Sequence, residues 1–234
     1  MLSEQANPAN ERGSLAWRFA SAGAGLPLLL AIVWLGSPWL TILVALATML
    51  GVSEYYRLLK DKSRRLRALG LLWTALFVIN AHIGDDWALR ATVLVAAGAL
   101  LLLALHLPTI RSPGMAKRWF LGMVGPLYLG ITLSHAVLLR QFDQGAWWLV
   151  LALFTAFATD TAAFFVGRAL GRHPMAPRIS PGKTWEGAVA GLMAGIGTAL
   201  LVSTLIDLPL TIWGATLMGS GVSLLAQLGD LLES

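Results

Sequence analysis

Eight apolar runs follow one another along this chain, over residues 19–36, 38–53, 68–84, 87–107, 119–139, 146–167, 186–206 and 209–229. A helix that crosses a bilayer needs roughly 20 apolar residues, with about 17–25 the usual range. The pattern predicts an all-α, polytopic integral membrane protein of about eight transmembrane helices. Ser37-Pro38 separates the first two runs by a very short connection. Composition agrees with this class. Charged residues are 12% of the chain, against about 25% in an ordinary soluble domain, and the mean hydropathy is +0.71. The chain has no cysteine, which excludes disulfides, thiolate metal ligands and a thiol nucleophile.

The net charge of +5 does not point to nucleic acid, because the cations sit in short clusters between apolar runs. With the N-terminus placed in the cytoplasm, the cytoplasmic segments hold Arg12, Arg18, Arg57, Lys60, Lys62, Arg64, Arg65, Arg67, Arg111, Lys117, Arg118, Arg168, Arg172, Arg178 and Lys183. Arg90 and Arg140 fall on the other side. This bias fits the positive-inside rule and an even number of spans. It places both termini and the 168–185 loop in the cytoplasm. Residues 1–18 form a polar tail unlike the basic start of a cleaved signal peptide. Residues 19–234 read as a single transmembrane domain whose site region is 160–234. No internal repeat supports an inverted-repeat transporter.

Most of the chemistry lies between Asp160 and Glu186. Asp160 falls inside an apolar run, where an ionised group is expensive and marks function by default. Phe164 and Gly167 follow it at helical spacing, and Thr161 and Arg168 share an adjacent face. The arrangement suits a metal-bound phosphate; an Asp160 that pairs with Arg168 or another cation and only locks helices together is the alternative. Gly167 and Gly171, and Gly187, Gly191 and Gly195, recur every four residues, a spacing that lets helices approach closely. Ser180-Pro181 reads as a helix N-cap and first position. Lys183 and Thr184 would then lie in a first turn that favours an anion. Gly182-Lys183-Thr184 is not a P-loop: the position that needs the first Gly is Pro177, and no strand is expected before it. Glu186 has three open roles: metal contact, orienting Lys183, or favouring the helix N-terminus. His173, in the cationic loop, is placed to touch phosphate; His82, His106 and His135 have no ligand spacing. Near the end, Asp230 and Glu233 are three apart and share a helical face. Two carboxylates meeting there would suit Mg²⁺, a hard cation that takes oxygen ligands; an ordinary polar C-terminus is the other reading.

These residues resemble the phosphatidate cytidylyltransferases, or CDP-diacylglycerol synthases. The family pattern Asp-Thr-x-Ala-aromatic-x-x-Gly-Arg-x-x-Gly-basic is carried by Asp160, Thr161, Ala163, Phe164, Gly167, Arg168, Gly171 and Arg172. Ile-Ser-Pro-x-Lys-Thr-x-Glu-Gly is carried by Ile179 through Gly187, and Gly-Asp-Leu-x-Glu-Ser by Gly229 through Ser234. The resemblance implies a bacterial inner-membrane enzyme that joins CTP and phosphatidate into CDP-diacylglycerol and pyrophosphate with Mg²⁺. It implies catalytic roles for Asp160, Lys183 and Asp230. It implies substrate contacts from Thr161, Arg168, Arg172, Arg178, Ser180, Thr184 and Glu186, and a metal contact from Asp230; Asp160, as a metal ligand or just behind one, and Glu233, from its place on the helical face of Asp230, are the further metal candidates. The family signature continues beyond Gly-Asp-Leu-x-Glu-Ser to a second metal-site Asp. The chain ends at Ser234, so it is expected to carry half of that metal site and to be inactive alone if nothing replaces the rest. An inactive lipid- or partner-binding membrane protein and a CTP-dependent lipid kinase are the competing readings. A monomer and a homodimer are both open.

Overall fold

The computed structural model describes residues 25–59, 63–106, 114–178 and 180–233, together with Gly23. The expected 1–18 tail, Arg12, Arg18, Lys60, Lys62, Arg111, Ile179 and Ser234 lie outside the described residues, as do the side chains of His106 and Glu233. Eight helices are described: α1 (Gly25–Leu35), α2 (Trp39–Leu58), α3 (Arg64–Ile83), α4 (Trp87–His106), α5 (Met115–Gln141), α6 (Gly145–Leu170), α7 (Trp185–Leu205) and α8 (Ile212–Glu233). They fall on the eight expected runs. Among the described residues, six of them, α2 through α7, are long and apolar enough to cross a membrane, as in a multi-pass membrane protein. α8 is outside that set because Gly, Ser, Thr and Gln dilute its apolar residues.

Several helices outrun the apolar runs that announced them. α2 continues past residue 53 to Leu58, through Glu54 and Arg57, whose side chains pair at 2.6 Å one turn apart. α3 begins at Arg64 rather than residue 68, where the Ser63 side chain accepts a hydrogen bond from Leu66 N–H. Hydropathy marks the hydrocarbon layer, whereas caps and local pairs decide where a helix stops.

The chain divides into two compact units, Met1–Gln141 and Phe142–Ser234. In the first, α2, α3, α4 and α5 enclose a core of Val52, Tyr56, Leu66, Trp73, Phe77, Ala91 and Leu102. Its aromatics bury both their bodies and their polar tips. Tyr56 O–H donates to Gly122 O at 2.8 Å, Tyr55 O–H to Leu121 O at 2.7 Å, and Trp73 Nε1–H to Leu94 O at 2.7 Å. Burying a hydroxyl or indole N–H is tolerable only with such a partner. Arg140 closes the end of α1 by donating from Nε to Val33 O at 2.9 Å.

The second unit holds α6, α7, α8 and a two-stranded antiparallel hairpin, β1 (Pro174–Ala176) and β2 (Ser180–Thr184). The glycines of α7 set its helix spacing. A Cβ on Gly187 would lie 2.6 Å from Ala163 O, and one on Gly191 would lie 2.8 Å from Thr159 O. Gly195 is pressed against Thr159 and Ser223, whose hydroxyls meet at 2.8 Å and join α6 to α8. Without a hydrophobic force between helices in lipid, close backbone approach and such hydrogen bonds drive association. The sequence reading of these glycines as a packing stripe holds.

The hairpin corrects the sequence reading. Ser180 is not an N-cap and Pro181 does not begin a helix; both lie in β2. Pro174, Pro177 and Pro181 deny this stretch a helix interior, yet proline is acceptable in a strand without a neighbour on its N–H side. The cap of α7 is Thr184, whose side chain accepts from Gly187 N–H at 3.2 Å.

Candidate active site

The C-terminal end of α6, the hairpin, the start of α7 and the end of α8 meet at one end of the second unit. They enclose a cleft of about 390 Å³. Asp160, Gly167 and Arg168 of α6, Lys183 and Thr184 of β2, and Gln227 and Asp230 of α8 supply its polar wall. Ala163, Phe164, Met175, Ala188 and Leu231 supply an apolar one. The cleft lining therefore brings cations and carboxylates together with apolar side chains, and α6 and α8 each contribute both kinds.

Local structure delivers each group. Asp160, Ala163, Phe164 and Gly167 recur at three- and four-residue steps, so one face of α6 lines the cleft. Gly167 leaves room for β2 and α7: a Cβ there would lie 3.1 Å from Thr184 Oγ1 and 3.5 Å from Gly187 Cα. Lys183 is carried by a strand and not by a helical first turn. Two of the first N–H groups of α7 are also taken: Trp185 N–H donates to His173 O at 3.0 Å and Gly187 N–H to Thr184 Oγ1. An anion in the cleft would meet the Lys183 side chain, which lines it.

Lys183 Nζ lies 2.9 Å from Asp230 Oδ2. The lysine side chain is 24% exposed and the aspartate 60%. Asp160 lies within electrostatic reach of both. Among the described residues, Asp160 and Arg168 form no ion pair; the cation in electrostatic reach of Asp160 is Lys183. The two carboxylates and the ammonium come from three elements separated by up to 70 residues.

Other predicted residues are placed differently. Thr161 is exposed and outside the cleft lining, as are Arg172 and Arg178; Ser180 is half-buried and also outside it. Glu186 turns from the cleft and grips the hairpin: its Oε1 sits 2.6 Å from His173 Nδ1, and its Oε2 accepts from His173 N–H at 3.3 Å. His173 is thereby held by Glu186. With Trp185 N–H bound to His173 O, these contacts clamp the base of the hairpin that carries Lys183. Glu186→Ala should release it, and the His173 and Trp185 amides should exchange hydrogen about tenfold faster, on the scale of a hydrogen bond to a charged group. Unchanged exchange at both would sink the clamp. Gln227 and Met175 were missed in the sequence. Gln227 stands one turn before Asp230, a spacing that would have revealed it; Met175 enters through the hairpin, which had no sequence signal.

The fit to a divalent ion follows from the donors. Asp160 and Asp230 offer hard oxygen ligands to one cleft. Among the described residues, no group of three or more His, Asp or Glu stands ready to hold a metal. Mg²⁺ ordinarily uses one or two carboxylates and takes its other ligands from water and substrate phosphates. The two aspartates fit that habit.

A sequence profile of the cytidylyltransferase family matches residues 16–234. The chain is 31% identical over 207 residues to a phosphatidate cytidylyltransferase of Brucella suis biovar 1 (strain 1330), covering 87% of this chain and 72% of that protein. It is 28% identical over 229 residues to a phosphatidate cytidylyltransferase of Mycobacterium bovis (strain ATCC BAA-935 / AF2122/97), covering 90% and 72%. It is 26% identical over 219 residues to one of Staphylococcus haemolyticus (strain JCSC1435), covering 93% and 83%.

Proposed function

The chain belongs to the cytidylyltransferase family, and from that premise we propose that it joins CTP to phosphatidate, giving CDP-diacylglycerol and pyrophosphate. The observation that supports this reading is the cleft itself, whose lining brings Arg168, Lys183 and Thr184 together with Asp160, Asp230 and apolar side chains. A phosphate oxygen of phosphatidate attacks the α-phosphorus of CTP. The bond from that phosphorus to the bridging oxygen of the β-phosphate breaks, and pyrophosphate leaves. The attacking oxygen is already anionic, so no protein nucleophile is required. What the chain supplies is position and compensating charge.

In this proposal Lys183 and Arg168 neutralise phosphate oxygens. Lys183 acts as a mobile point charge and Arg168 as a planar donor. Thr184 positions the hairpin against α7 beside them. Arg172 and Arg178, exposed on either side of β1, add positive potential that draws CTP toward the cleft. Thr161 and Ser180 belong to the surrounding shell, and Glu186 keeps the hairpin in place. Asp160 and Asp230 would hold Mg²⁺, which when bound neutralises phosphate oxygens as charge builds on the leaving group. The apolar wall of Ala163, Phe164, Met175 and Leu231 receives the glycerolipid end of phosphatidate. We place the protein in a bacterial inner membrane with both termini and the cleft at the cytoplasmic face. There a soluble nucleotide and a membrane lipid can meet; a homodimer is compatible with this placement.

The test is turnover by this chain in lipid with CTP, phosphatidate and Mg²⁺. Equal yields of CDP-diacylglycerol and pyrophosphate are expected. CDP with a newly phosphorylated lipid would instead assign γ-phosphoryl transfer. Failure to retain CTP at all would favour a lipid- or partner-binding protein.

A further inference from the structure

Lys183 stands against a carboxylate oxygen of Asp230, one of the two aspartates assigned above to Mg²⁺. Its Nζ is 2.9 Å from Asp230 Oδ2, has no contact with solvent, and has no aligned hydrogen bond to any acceptor. The ammonium is held by charge alone, in a cleft whose other carboxylate, Asp160, is also in electrostatic reach. A divalent cation on Asp230 and an ammonium at the same oxygen repel each other, and a partly enclosed site screens that repulsion less than water does. The lysine stem is flexible, and phosphate oxygens are competing partners for its head.

We propose that Lys183 is a removable occupant of the metal site. It neutralises Asp230 while the cleft is empty, and phosphates of the incoming nucleotide draw it off, so that divalent-metal loading is coupled to nucleotide arrival. The inference rests on the reading of Asp160 and Asp230 as the metal site. It adds an order to that reading: the bare protein binds metal weakly, and nucleotide and metal raise each other's affinity by one common factor.

The experiment measures Mn²⁺ bound to the full chain in lipid nanodiscs by electron paramagnetic resonance. Free Mn²⁺ is corrected for chelation by CTP. The wild type, Lys183→Met, Lys183→Gln and Asp230→Asn are compared. Without nucleotide, both Lys183 variants should bind Mn²⁺ about tenfold more tightly than the wild type, within the usual range of coupling between sites. CTP should raise wild-type affinity and leave the Lys183 variants nearly unchanged. The gain from Lys183→Met should vanish when Asp230→Asn is added. Equal affinity of wild type and both Lys183 variants without CTP would overturn the exchange while leaving the metal site intact. No Mn²⁺ bound by any protein, with or without CTP, would overturn the metal site and the exchange together. Lys183→Gln keeps the side chain long and polar, so loss of folding in Lys183→Met alone does not remove the test.

Discussion

Asp230→Asn lowers Mg²⁺-dependent CTP turnover by on the order of 10²–10³-fold, the scale of removing one preorganised electrostatic group from a reacting centre. The change keeps the size of the side chain and removes its charge. Asp230 lies on the cleft wall near the end of α8, 2.9 Å from Lys183, and is 60% exposed. Exposure of that order means that the helix does not depend on the carboxylate for packing, so membrane insertion and the elution profile should match those of the wild type. Lys183 loses its counter-ion and is freed to hold phosphate, so CTP binding should survive better than turnover. The assay follows CDP-diacylglycerol formation against Mg²⁺ concentration. Wild-type turnover would remove Asp230 from the metal site.

Gly191→Leu strongly destabilises the second unit, and Gly197→Leu on the same helix does not. A Cβ on Gly191 meets Thr159 O at 2.8 Å and Ala163 Cβ at 3.1 Å. The first of these is backbone of α6 and cannot rotate away. The rest of a leucine must push α6 and α7 apart, which strains the Thr159–Ser223 hydrogen bond and opens the cleft wall above it. Overpacking a core typically costs about 1–3 kcal/mol, and contact with a helix backbone belongs at the upper end or beyond. Gly197 has nothing within 4 Å of its would-be Cβ. The two variants add the same apolar volume to one helix and differ in what it meets. Thermal unfolding in detergent, followed by monodisperse elution, should show a clear loss for Gly191→Leu and a near-native midpoint for Gly197→Leu. Equal midpoints would mean that the glycine stripe does not set the spacing of α6 and α7.

The positions of the helices were legible because transfer into hydrocarbon is a property of each residue that adds along the chain. Their ends were less so. Glu54, Arg57 and Ser63 lengthen α2 and α3 through contacts one turn away that hydropathy does not register. The glycines of α7 were legible as a stripe because a four-residue step is helical geometry. The hairpin at 174–184 was not. Ser180-Pro181 satisfies the local rules for a helix start, and those same residues also suit an edge strand. Contacts between segments decided between the two: Trp185 N–H on His173 O and Glu186 on His173.

The candidate site divides the same way. Asp160 stood out because a carboxylate in an apolar run is costly, and Asp230 stood out beside Glu233 on a helical face. Neither fact says that they face each other, or that Lys183 stands beside them. By itself, the amino-acid sequence determined the membrane class, the run of helices and the chemical inventory of the 160–230 region, since these depend on single residues and local spacing. The tertiary structure decided that Thr184 rather than Ser180 caps α7, that Glu186 binds His173 rather than the cleft, and that Lys183 reaches Asp230 across 47 positions. The physical reason is the close approach of α6, α7 and α8 through Gly187, Gly191 and Gly195. Which side chains share a cleft follows from how near those backbones come and at what rotation, and neither quantity belongs to any one stretch of sequence.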